Sequence, residues 1–204
     1  LSFTVRLSNQ SGHKFPTSYP SRRAWLHVLV TDSQGAMIFE SGSIDASGSI
    51  TGLASDMDPA TLEPHYLAIT SGDQVQSYEA IMEDIDGNLT HTLLEAARYR
   101  KDNRLLPAGM DKGAVPDSIR PRGDAFTDPD FADGGDLVHY QVADLVPDTY
   151  KIEVRLNYQV LSYGFIQDLL VDNDDARVAL FEELDNNARN RFETITSVTD
   201  SILF

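Results

Sequence analysis

Apolar and polar residues alternate over Phe3-Thr4-Val5-Arg6-Leu7, the period of a strand with one buried face. From Ala24 to Asp32 the alternation places Leu26, Val28 and Val30 on one side and Trp25, His27 and Leu29 on the other, which predicts a strand at least partly covered on both faces. The Ser33-Gln34-Gly35 turn and the extended run Met37-Ile38-Phe39-Glu40 make it the first arm of a hairpin. Residues 41–59, rich in Ser, Gly and Asp, predict a surface loop, and residues 75–84 another strand ending at the Asp86-Gly87-Asn88 turn. The clearest strand is late: Tyr150, Ile152, Val154, Leu156, Tyr158 and Val160 alternate with polar residues, with residues 136–143 expected as its hairpin partner across 144–148.

One helix is expected near the C-terminus. Asn173-Asp174-Asp175 offers a capping residue and early negative charge, and Val178, Phe181, Leu184, Ala188, Phe192 and Ile195 then recur at three- and four-residue steps. Residues 90–100 have helical propensity that a sheet can override. Nine Gly or Pro residues between Pro107 and Gly135 exclude a long regular element there. The expected fold is all-β, mainly an antiparallel β-sandwich over residues 1–165, with long irregular loops. A C-terminal amphipathic helical extension, 166–204, would pack on the sandwich or on a neighbour.

Charge narrows the function. The 204 residues carry 16 Lys and Arg against 32 Asp and Glu, a net charge of −16, which argues against nucleic acid and anionic membrane surfaces as partners. With no cysteine, the chain has no disulfide, thiolate zinc site, iron–sulfur cluster or thioether-attached haem of its own. No apolar run approaches the ~20 residues of a membrane span. The chain opens at Leu1 without a basic-then-apolar leader, so it is expected to be a processed or excised piece of something longer.

Two stretches carry candidate chemistry. In Gly12-His13-Lys14-Phe15-Pro16-Thr17-Ser18-Tyr19-Pro20, glycine and prolines constrain the backbone around a histidine. His13 either ligates a metal or haem iron presented from elsewhere or bonds within its own loop. Arg22 and Arg23 pair either with a carboxylate of the fold or with a propionate. Asp124, Asp128, Asp130, Asp133 and Asp136 lie on a Gly- and Pro-containing loop; hard oxygen ligands there suit calcium, although the EF-hand spacing is absent and a solvated acidic loop is the alternative. Asp84 and Asp86 are weaker candidates of the same kind. His27, His65, His91 and His139 show no ligand spacing, and no hydrolase or phosphate-binding motif appears.

The run GHKFPTSYPSRRAWLH, Gly12 to His27, resembles the signature of a haem-free β-rich domain that follows the haem-binding repeats of bacterial multihaem c-type cytochromes. Lys101-Asp102-Asn103-Arg104-Leu105-Leu106-Pro107 is its second specific block. Phe39-Glu40-Ser41-Gly42, Glu63-Pro64-His65-Tyr66, Val75-Gln76-Ser77-Tyr78-Glu79, Asp130-Phe131 with Gly134-Gly135-Asp136, and Leu156-Asn157-Tyr158-Gln159 support it in order. Ser18 stands where that family usually has Gly, and the tail after about residue 170 lies outside the likeness.

The resemblance implies an accessory, non-catalytic domain of an exported electron-transfer protein, periplasmic, extracellular or at the cell surface. Haem c would come from an upstream segment or a partner chain, in a homo- or hetero-oligomer. His13 is then the candidate iron ligand, and Phe15, Tyr19, Arg22 and Arg23 are candidates for packing on the porphyrin or pairing with its propionates. The rival reading is a secreted carbohydrate- or surface-binding sandwich module with structural calcium, using Trp25 or Tyr19 to stack on sugar.

Overall fold

A computed structural model describes residues 1–172 and 174–204. Two sheets pack face to face. The smaller has the order β1–β8–β4, from Ser2–Ser8, Gly135–Gln141 and Ala68–Ile69. The larger has seven strands. Its path runs β10 (Glu193–Leu203), β9 (Thr149–Gln159), β2 (Arg23–Thr31), β5 (Ser77–Glu83) and β6 (Leu89–Thr90). β3 (Met37–Ser41) pairs with β2, and β7 (Arg98–Asp102) pairs with β5. All pairings are antiparallel except β4 with β8.

The expected all-β sandwich is present, and its core follows the alternation. Val5, Leu7, Val138 and Tyr140 from the small sheet meet Leu26, Val28, Val30, Ile152, Val154 and Leu156 from the large one. The second face of β2 is also covered: Trp25 packs with Ile50, Leu53 and Val75 in a separate cluster and donates its indole N–H to the Gly42 carbonyl at 2.9 Å. Gly42 has φ +79°, and a Cβ there would sit 2.3 Å from the Leu26 carbonyl, so this corner requires glycine.

Three local expectations are corrected. β8 is not the hairpin partner of β9. It pairs with β1 along its whole length, while β9 pairs with β2 and β10, so residues 144–148 carry the chain from one sheet to the other. The 41–59 stretch is not only surface loop: it contributes buried Ile50 and Leu53 and the short helix α1, Ala54–Met57. Over residues 90–100 the sheet does override the helical propensity, as the sequence allowed: Thr90 closes β6, turns follow, and Arg98 enters β7 against β5. The C-terminal helix does not reach Ile195. After α2, Tyr163–Leu169, helix α3 spans Ala176–Asn186 with Asp175 as its N-cap, and the β-branched run from Thr194 to Thr199 then pairs with β9 as β10. Of the expected capping residues, Asn173 lies outside the described residues.

Candidate functional site

The two most specific sequence blocks are in contact. Phe15 and Leu105 exchange backbone hydrogen bonds of 2.9 and 2.8 Å. Lys14 Nζ lies 2.7 Å from Asp102 Oδ2, and Arg104 spans both oxygens of Asp102, Nε to Oδ1 and Nη2 to Oδ2, each at 2.8 Å. Asn9 is buried beneath the loop. Its Nδ2 donates to the His13 carbonyl at 2.8 Å and to the Leu106 carbonyl at 3.0 Å, while its Oδ1 accepts from Ser11 N and Oγ. An otherwise irregular loop is thereby fixed to the chain segment after β7. Ser18 has φ +72°, the left-handed backbone that glycine adopts without strain.

Held this way, His13 projects into solvent. Its Nδ1 lies 3.0 Å from the Lys14 carbonyl, which only accepts, so the ring proton resides on Nδ1. Among the described residues Nε2 makes no hydrogen bond, which leaves its lone pair free on an exposed side chain. That tautomer, with the far N–H bound to a carbonyl, is the one a metal-ligating histidine uses. Around it, Phe15 packs at 6.1 Å on Tyr158, and Tyr19, 39% exposed, meets Phe165 edge-on at 5.8 Å. Arg22 bonds only the Thr17 carbonyl and makes no ion pair among the described residues. Arg23 has no such freedom: it is buried, with a two-pronged ion pair to Asp56 at 2.6 and 2.8 Å and a bond to Gln159, and it cannot face a propionate at the surface.

The five aspartates do not form one oxygen cage. Asp124 opens a 3-10 turn, Asp133 accepts from Gly109 N, and Asp130 lies near His139 at 3.5 Å. Only Asp128 and Asp136 converge, and they do so on His65, with ligand atoms of all three within 4.8 Å of one another and all three residues buried. His65 Nε2 is 3.0 Å from Asp128 Oδ2 and 3.9 Å from Asp136 Oδ1.

This second constellation was invisible as spacing, because its members come from four distant segments. The resemblance blocks name nearly all of them: His65, Gln76, Tyr78, Asn103 and Asp136 each lie in one of the quoted runs.

Its hydrogen bonds decide what it can do. Gln76 Oε1 accepts from Tyr66 N and Asn103 Oδ1 accepts from Glu79 N, so both amide NH2 groups point at His65 Nδ1, at 2.7 and 3.2 Å. Nδ1 is therefore an acceptor, and the proton sits on Nε2, donated to Asp128. A metal on Nε2 would require a proton on Nδ1, against two fixed donors. The cluster has the residue types of a metal centre and the wrong surroundings for one. Calcium also wants six to eight oxygens, roughly three times what converges here.

Burial draws His65 down to about 4, against the upward pull of Asp128. Burial and the nearby Asp128 lift Asp136 to about 6, even though Tyr78 donates to its Oδ2 at 2.6 Å. Asp136 Oδ1 is buried without a partner, which disfavours the charged carboxylate in the same direction. The sugar-stacking expectation loses one residue, since Trp25 is wholly buried.

No family model matches the chain, and no curated protein matches it. Among solved structures it is similar to a penta-haem cytochrome c552 from Thermochromatium tepidum, with a TM-score of 0.53 and 16% identity. The match covers 98% of this chain and 36% of that one, so the chain spans about a third of its neighbour's length and shares its fold over that part.

Proposed function

We propose that this chain is a haem-free accessory sandwich of a multihaem electron-transfer cytochrome, exported with it, whose His13 loop docks on a haem carried by another segment or subunit. The observation that carries the reading is the His13 ring: Nδ1 is bound to the Lys14 carbonyl, and Nε2 is unbonded on an exposed side chain of a loop fixed at both ends. The other exposed or half-exposed histidines differ: His91 is lodged against Gly164 and Phe165, where burial lowers its pKa. His27 Nε2 bonds Glu40, and His139 has Thr4 on Nδ1 and Asp130 near Nε2. The shared fold with a penta-haem cytochrome and the sequence resemblance support the same context. Without cysteine the chain supplies no covalent haem of its own; its contribution is a ligand, an aromatic surface from Phe15 and Tyr19, and one cation, Arg22, for a propionate.

The test is a spectral titration of the chain with a ferric haem c peptide that carries one histidine ligand and an open sixth position. Binding through His13 converts the iron to a low-spin bis-imidazole spectrum. His13→Ala should abolish that change while His139→Ala leaves it intact. An unchanged titration after His13→Ala would defeat the ligand reading.

A further inference from the structure

The large sheet ends in an unprotected edge. β10 bonds β9 on one side only, so every second residue along its eleven turns a backbone N–H and C=O to solvent. Ten of those eleven residues are exposed. The strand contains no Pro, Lys or Arg, and its one irregularity lies between Thr194 and Thr196, leaving residues 196–203 as an unbroken ladder. Thr196, Val198, Asp200 and Ile202 continue the face on which Leu156, Val154, Ile152 and Tyr150 of β9 enter the core, yet Val198 is 60% exposed. The core-facing side of the sheet thus overhangs the smaller sheet.

We infer that β10 is a self-pairing edge, joining two copies of this chain antiparallel about a two-fold axis at Val198 into one continuous sheet. Side chains that meet across antiparallel strands must share a face, so the axis falls on a residue rather than between two. Charge then excludes one register. An axis at Asp200 would set that carboxylate against its own copy. An axis at Val198 sets the two valines together and Asp200 against Thr196 within the unbroken ladder, with no like charges opposed. Asp200 is the one charge in the unbroken strip, so each face meets a compatible face, and an isologous contact of this kind closes at two copies. The net charge of −16 on each copy opposes the approach, which makes the pairing salt-dependent.

Sedimentation equilibrium on the full chain tests this. A monomer–dimer equilibrium is expected, tighter at ~0.5 M salt than at ~0.05 M as screening shortens the repulsion. Val198→Lys places two cations on the axis and should weaken the dimer about tenfold or more, while Thr196→Lys, facing Asp200 of the second copy, should tighten it about threefold. Both sites are exposed, and a thermal melt of each variant confirms that the fold is kept. A chain monomeric at every salt concentration overturns the inference and leaves a foreign strand as the occupant of the edge. A dimer indifferent to Val198→Lys overturns it as well.

Discussion

His13 and His65 lie in regions that share the Lys101–Pro107 block, yet their rings are wired in opposite senses. At His13 a carbonyl takes the Nδ1 proton and the Nε2 lone pair is left free. At His65 two amide groups donate to Nδ1, and Nε2–H is directed to a buried carboxylate. The lesson is that proximity to carboxylates does not make a metal site. The partner on the far nitrogen decides whether an imidazole has a lone pair to offer. By that criterion His13 has a lone pair to offer and His65 has none.

The two regions should therefore fail differently. The largest effect is expected at their shared anchor, Asp102, which is 1% exposed and neutralises both Lys14 and Arg104. Asp102→Ala leaves two cations uncompensated and should cost about 4 kcal/mol in denaturant unfolding, with weaker haem-peptide binding as the loop loosens.

The pH dependence of stability probes the buried cluster through two groups of opposite sign. Asp136 keeps its proton up to about pH 6 when folded and releases it near 3.8 when unfolded, so its contribution is lost as pH rises through that interval. His65 works the other way: it is held neutral down to about 4 when folded and protonates near 6.5 when unfolded, so its contribution is gained as pH rises and lost as pH falls. The two slopes oppose each other, and burial adds Glu63, raised, to one side and His91, lowered, to the other. Removing either unmasks the other, by on the order of 3 kcal/mol across the window. Stability of His65→Gln should fall between pH 4 and 6, and that of Asp136→Asn should rise between pH 4 and 6.5. Neither variant should change the haem-peptide titration. A shared loss of binding would dissolve the distinction between loop and buried cluster.

Smaller changes sharpen it. Asn9→Ala removes the amide that ties the His13 carbonyl to the Leu106 carbonyl and should destabilise by about 2 kcal/mol, with a measurable drop in haem-peptide affinity. Ser18→Gly relieves the positive φ and should stabilise the chain by about 1 kcal/mol in the same unfolding assay.

Much of the fold was legible in the chain because alternation reports burial directly: Leu26, Val28 and Val30, and Ile152, Val154 and Leu156, are core residues as their spacing required. Pairing was less legible. The short link at 144–148 reads as a hairpin, but nothing local reveals that β1 and β2 are better partners for the strands on its two sides. The tail misled for a related reason. Phe192 and Ile195 extend a helical stripe, and only the open edge of β9 turns the β-branched run beyond Arg191 into a strand. The loop of His13 could be read from its Gly and Pro content. The His65 cluster could not, since Asp128, Asn103 and Gln76 meet only after folding.

The most direct test is a long-range 1H–15N correlation spectrum of the imidazoles at neutral pH, recorded before and after adding the haem c peptide. The account predicts His13 with its proton on Nδ1 and a resonance lost on haem binding, beside a His65 protonated on Nε2 and unmoved. A His13 protonated on Nε2, or a His65 signal that disappears in its place, would contradict it.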